Sequence, residues 1–313
     1  MQELTITSGR HMHHIDPHLT IWGWEIPVYL FLGGLVAGIL FFSAVYFLRG
    51  KSDEMRTTVR VAPLFVPFLL ATGLFALFLD LEYKIHLFRF YTVIRLQSPM
   101  SWGSWTLGII FPLSTLWALM HAESVFPNWR YPYKWMEQAM NFVKKYAKIL
   151  AWLLIYYAAI LGIYTGILLS AFNARPIWNT AILGPLFLVS GFSTALAFNM
   201  ILSKTKEERH KLGKIDLMAI GTELFLIIHM FMGFLASTEI HVEAAQLFLG
   251  GPYTAPFWIF VVGVGLLIPA LIEVLDGMHK VKSTLVPAFL VLFGGLMLRF
   301  IIVDAGQFSS WIF

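Results

Sequence analysis

Apolar residues in this chain do not alternate as in a strand or form the one-sided stripe of a surface helix. They come in unbroken blocks. A helix needs about 20 such residues to cross the hydrocarbon core of a bilayer. Blocks of that size fall at roughly 27–48, 60–81, 103–121, 148–170, 181–202, 216–237, 257–275 and 284–303. The polar stretches between them are short. The longest, near 122–147, is too small for a folded domain and reads as an amphipathic segment lying at the interface, with Trp129, Tyr131, Tyr133 and Trp135 beside Lys134, Lys144 and Lys145. The pattern predicts an all-α integral membrane protein of eight transmembrane helices.

The polar stretches are not equivalent in charge. Those after the first, third, fifth and seventh blocks carry 16 Lys and Arg residues, those on the other side carry 5, and Arg299 lies inside the eighth block. Basic loops stay in the cytoplasm, so both termini are expected outside. The outward side is then the periplasm or its equivalent.

Composition agrees and excludes other classes. Hydrophobic residues make up 58% of the chain and charged residues 13%, about half the charged share of a soluble domain. The net charge of +4 is small and sorted by side, which reads as topology and argues against nucleic acid as a partner; membrane lipid surrounds the chain instead. There is no cysteine, so thiolate-bound iron–sulfur clusters, disulfides and thiol catalysis are excluded. The first 26 residues are polar and His-rich and lack the basic-then-apolar order of a cleavable signal, so the first block is expected to act as its own insertion signal.

A weak repeat runs at an offset of 156 residues: Trp22 matches Trp178, Leu30-Phe31-Leu32 matches Leu186-Phe187-Leu188, and Trp102 matches Trp258. The eighth block starts earlier than the offset requires, so three helices match well and the fourth poorly. Four helices is an even number, and both halves would then point the same way. The expected organisation is an extracytoplasmic segment (1–26), a four-helix bundle (27–170), a linker (171–180), a second four-helix bundle (181–303) and an extracytoplasmic tail (304–313).

Ionisable groups inside spans are informative, because a charge at the centre of the bilayer costs at least about 2.5–3.5 kcal/mol. The candidates are Asp80, His121, Glu223, His229, Glu273 and Arg299. A membrane cytochrome needs axial histidines paired at matched depth. His121 sits at the inner end of its span, whereas His229 lies about 13 residues, roughly 20 Å, further in; haem in this chain is therefore not expected. Asp80, Glu223, His229 and Glu273 are candidates for proton transfer, with satisfied interhelical hydrogen bonds as the plainer reading. His11, His13, His14, Asp16 and His18 are metal-ligand types without the spacing that fixes a tetrahedral site; no metal site is expected, and a docking role suits them better.

The outer face concentrates another set. Asp80-Leu81-Glu82 closes the second span, followed by His86, Arg89, Arg95 and the run Ser98-Pro99-Met100-Ser101-Trp102-Gly103-Ser104-Trp105. Glu25 opens the first span on the same side, and Tyr164-Thr165-Gly166 lies in the outer half of the fourth. Donors, proton acceptors and apolar walls at one depth suit a lipid-soluble headgroup with two oxygens; an ordinary aromatic belt with helix caps is the alternative.

At these residues the chain resembles a known family. The run Trp22-Gly23-Trp24-Glu25-Ile26-Pro27-Val28-Tyr29 through Gly33-Gly34-Leu35, the Asp80-Leu81 helix end with Arg89, the Ser98-to-Trp105 motif, Tyr164-Thr165-Gly166 and Arg175-Pro176-Ile177-Trp178-Asn179 resemble the NrfD-like, polysulfide reductase-type membrane anchor family. The resemblance implies two four-helix bundles and a site for menaquinone or ubiquinone near one membrane face, with no haem or iron–sulfur cluster in this chain. It implies a partner subunit with several [4Fe–4S] clusters and, commonly, a molybdopterin catalytic subunit behind it. Tyr164 corresponds to the family's quinone-contacting tyrosine. Polysulfide reductase-like members carry a histidine where this chain has Tyr29, and Glu25, one turn earlier, is the candidate replacement.

The expected function is thus a quinone/quinol-reactive membrane subunit of a respiratory oxidoreductase complex, with or without proton translocation. Glu25, Tyr29, Tyr164, His86, Arg89 and Trp102 are the candidate quinone-binding residues. A secondary transporter, which also uses parallel repeats and buried acids, and a purely structural anchor are the alternatives.

Overall fold

The computed structural model describes residues 22–86, 88–95, 97–278 and 284–309; the His11–His18 group lies outside them. Among the described residues there is no strand, and eight helices are long and apolar enough to cross a membrane. In chain order these are α1 (Glu25–Leu48), α2 (Thr57–Asp80) and α3 (Pro99–Val125); then, after the short helix α4 (Lys134–Lys145), α5 (Ala147–Ser170), α6 (Leu183–Leu202) and α7 (Lys206–Leu235); then, after a second short helix, α8 (Glu239–Leu249), α9 (Pro256–Gly277) and α10 (Val286–Phe308).

Most ends fall within a few residues of the hydrophobic blocks, and the exception has a physical cause. α7 begins ten residues before its apolar block, because Lys206–Lys214 continues the helix as a charged extension. Glu207 and Glu208 stand in its first turn, where acidic side chains complement the exposed N–H groups. The segment near 122–147 folds as expected: α4 is exposed along nearly its whole length and buries Met140 alone. α2 starts with π-helical turns at Thr57–Val61 and a 3₁₀ turn at Ala62–Phe65, with Pro63 and Pro67 withholding two backbone donors there.

The spans pack as two groups of four. α1, α2, α3 and α5 form one ring; α6, α7, α9 and α10 form the other; α1 and α5 pack on α6, and α1 also packs on α10. α1 and α6 are the most enclosed spans. They approach so closely that a Cβ added at Gly191 would lie 2.7 Å from the Gly34 carbonyl oxygen. Small residues at such a crossing let two backbones come into contact, and packing of that kind holds helices together in lipid.

Polar contacts tie the halves together at both ends. At the basic end the Glu208 carboxylate accepts from the Thr57 and Thr58 backbone N–H groups (3.3 and 2.9 Å), from the Thr58 hydroxyl (3.0 Å) and from the Ser203 hydroxyl (3.1 Å). Nearby, Lys211 pairs with Glu54, and its ammonium holds that exposed carboxyl below the usual range. At the opposite end Gln307 exchanges two hydrogen bonds with the Trp22 backbone (2.8 and 3.0 Å), Arg175 donates to the carbonyls of Gln307 and Ser309, and the Trp178 indole donates to Ile302 O. Trp22 and Trp178 stack with centroids 5.1 Å apart. Two residues that the sequence offset equates therefore touch.

Candidate functional site

A cavity of about 210 Å³ opens between α1, α2, α3 and α5 at the end away from the basic loops. Its walls are mainly apolar: Ile26, Leu74, Leu77, Phe78, Leu107 and Leu168. Tyr29 from α1, Asp80 from α2 and Tyr164 from α5 reach it, together with Ser104 of α3 and Tyr91 of the segment before it. Tyr29 and Tyr164 are 3% and 7% exposed, so both phenols are set inside the protein. Among the described residues neither hydroxyl has a hydrogen-bond partner, and both residues line the cavity. Two unpartnered donors facing an apolar cleft suit a ligand with carbonyl oxygens and a hydrophobic body.

Neighbouring residues fix these positions. Gly103 of α3 leaves room for Tyr164, because a methyl group there would overlap the phenol ring and hydroxyl. The serines of the same motif fasten the preceding segment onto α3: the Ser104 hydroxyl donates to Phe90 O (2.8 Å), and Ser101 Oγ accepts from the Arg95 N–H (3.1 Å). Phe90 and Tyr91 are thereby held against the cavity they line.

The remaining expected quinone residues lie elsewhere. Glu25 is half-buried and within electrostatic reach of Asp80, but its carboxylate folds back over Gly23 and does not line the cavity. Asp80 takes the position at the cavity expected of Glu25. His86 and Arg89 are exposed and line a wider groove of about 460 Å³, which adjoins the cavity through Leu81, Phe90 and Met100. Trp102 is 53% exposed and lines neither space.

The expected proton-transfer residues also divide. Glu223 is buried and faces Arg299 and Ser190. His229 is exposed on the outer surface of α7, its Nδ1 2.8 Å from Phe225 O of its own helix. Six residues along a helix is a rotation of about 120° away from the starting face, so the anticipated Glu223–His229 relay does not form. Glu273 faces instead a residue that the sequence reading passed over, Asp216, which is fully buried and accepts from the Ser193 hydroxyl at 2.6 Å. Standing two positions after Lys214, Asp216 reads in sequence as one more interfacial charge; only the exposure of Lys214 and the burial of Asp216 separate them.

Arg299 is the buried cation of α10. Its guanidinium donates to Ser190 Oγ (2.5 Å), Phe187 O (3.0 Å) and Gly295 O (2.9 Å) and lies over the Phe187 ring. A cation in an apolar setting is more tolerable when both of its terminal nitrogens find acceptors in this way, although its Nε has none among the described residues.

The family model described as polysulphide reductase, NrfD, matches residues 13–309. The C subunit of polysulfide reductase from Wolinella succinogenes is 30% identical over 301 residues, 92% of this protein and 94% of that one. Protein NrfD of Escherichia coli is 29% identical over 329 residues, 98% and 99% of the two proteins, and an NrfD homolog of Haemophilus influenzae is 26% identical over 307 residues, 92% and 95% of the two. With eight membrane-length helices and a match along nearly its whole length, the chain belongs to the polysulphide reductase NrfD family.

Proposed function

We propose that this membrane subunit exchanges electrons between a membrane quinone and a bound iron–sulfur partner within a respiratory oxidoreductase complex. The observation that carries the reading is the pair of buried tyrosines, Tyr29 and Tyr164, that line one apolar cavity and make no side-chain hydrogen bond to another described residue. In this reading each hydroxyl donates to a carbonyl of the quinone headgroup. Asp80, at the same cavity, accepts the proton released when a quinol is oxidised, and Glu25 beside it passes the proton toward the end away from the basic loops. The exposed groove with His86 and Arg89 gives the headgroup end a polar mouth. The partner carries several [4Fe–4S] clusters, and a molybdopterin subunit stands behind it; this chain, with no cysteine, offers no thiolate to hold such clusters itself. The polar outer face, taken as extracytoplasmic, receives that partner. A purely structural anchor gives no reason for tyrosines of two helices and an aspartate of a third to line one apolar cavity.

Variants of the intact complex test this. Removing one group that assists a proton-transfer step lowers its rate by about 10²–10⁴. Tyr164→Phe and Asp80→Asn are expected to leave the complex assembled and to depress quinone-linked turnover within that range, with Glu25→Gln weaker because it stands one step back. Activity of the catalytic partner with a soluble dye should survive in all three. Near-normal quinone turnover in both Tyr164→Phe and Asp80→Asn would rule out this cavity.

A further inference from the structure

The second ring of helices holds a polar site of its own. Asp216 is 0% exposed; its Oδ1 accepts from Ser193, and its Oδ2 has no donor among the described residues. Glu273 faces it from α9, and neither of its buried oxygens has a donor there. Two ionised carboxylates at one buried place repel each other and forgo their hydration, so the arrangement favours keeping one of them neutral. A single proton between them supplies the donor that the protein does not. Among the described residues no group of three metal-ligating side chains gathers here, and the occupant that fits is a proton.

The site has an approach on one side and a continuation on the other. A cavity of about 260 Å³, lined by Arg209, His210, Lys214, Glu273 and Asp276, leads to it from the basic end. At about 30 Å³ per water that space holds several waters. In the other direction Ser190 stands one turn from Ser193 on α6, and Glu223 stands two turns beyond Asp216 on α7, buried and facing Ser190 and Arg299. Arg299 in turn lies against Gly34 of α1, five residues, or about 7.5 Å along the helix axis, from Tyr29. The charged groups around the pair are therefore Arg209, His210 and Lys214 of α7 and Asp276 of α9, with Glu223 and Arg299 further in.

We propose that Asp216 and Glu273 share one proton, exchanged with water at the basic end through this cavity, and that Ser193, Ser190, Glu223 and Arg299 extend the site as a half-path for protons toward the tyrosine cavity. The link to the tyrosines rests on the quinone reading above; the shared proton does not.

The shared proton is tested in membranes carrying the assembled complex, treated with dicyclohexylcarbodiimide. A protonated carboxyl adds across one C=N bond of the reagent: its proton goes to nitrogen and its oxygen to the central carbon. The resulting O-acylisourea, away from water, rearranges to a stable N-acylurea. The expected result by mass spectrometry is an adduct on Glu273 or Asp216 that falls to background in the Asp216→Asn/Glu273→Gln double variant, with Glu54 unlabelled. No adduct at either residue, or equal labelling of Glu54, overturns the proposal. The half-path is tested in liposomes. With an uncoupler present, Asp216→Asn is expected to keep electron transfer to quinone, and without it to lose proton movement at the basic end during turnover; Glu273→Gln gives the same readout should the first variant fail to fold. Unchanged proton movement in both variants overturns the half-path. A silent Tyr164→Phe with the carbodiimide adduct intact would fault the quinone reading alone.

Discussion

Gly103 has no side chain, and the space its Cβ would fill is taken by the Tyr164 ring and hydroxyl. The motif around it was legible in the sequence, as were Tyr29, Tyr164 and Asp80, because their chemistry and outer-face depth can be read from residue type and position in a span. What Gly103 does was not legible, since the contact crosses from α3 to α5. Gly103→Ala is expected to displace Tyr164; a misplacement of about 1 Å can cost about 10²-fold in rate, so quinone-linked turnover should fall to that degree with the complex still assembled. His229 makes the opposite case. Its type and depth suggested a relay, but the face it occupies turns it outward, onto Phe225. His229→Leu is expected to keep quinone-linked turnover within about twofold of the parent; a drop as large as that of Tyr164→Phe would return His229 to the chemistry.

Spans are the elements that hydropathy reads best, because the requirement of about 20 apolar residues is imposed by the bilayer and not by neighbouring helices. Helix parts outside the bilayer escape that rule, which is why the charged start of α7 and the short helix α8 were not anticipated. Which helices touch was also beyond reach: Gly34 and Gly191 look like two ordinary glycines in apolar runs until α1 and α6 are seen in backbone contact. Gly191→Leu forces a branched side chain into that crossing. Overpacking of a tight interior costs about 1–3 kcal/mol, and the variant should unfold at lower temperature in detergent than the parent; an unchanged transition would mean that the two bundles separate without penalty.

Across the whole molecule, the sequence conveyed the eight spans and the family, because each is written in long-range composition or in motifs spread along the chain. Which buried acids face a cavity was not conveyed, since that depends on how the helices are turned against one another. The unequal sharing of basic residues predicts sidedness: reporters fused to the C-terminus are expected to behave as external and reporters placed within 203–215 as internal. The reverse outcome would move the tyrosine cavity to the cytoplasmic side.

Arg299 also bears on how the protein is assembled as it is made. α10 is the last of the eight spans to be synthesised, and it brings a guanidinium into lipid whose partners outside its own helix, Ser190 and Phe187, sit on α6. Alone in the bilayer, that helix carries an insertion penalty of about 2.5–3.5 kcal/mol for its arginine. With α6 already in place, the penalty is offset by the hydrogen bonds to Ser190 and Phe187 and by the Phe187 ring. Biogenesis thus acquires an order: this helix settles best against an α6 that is already in place.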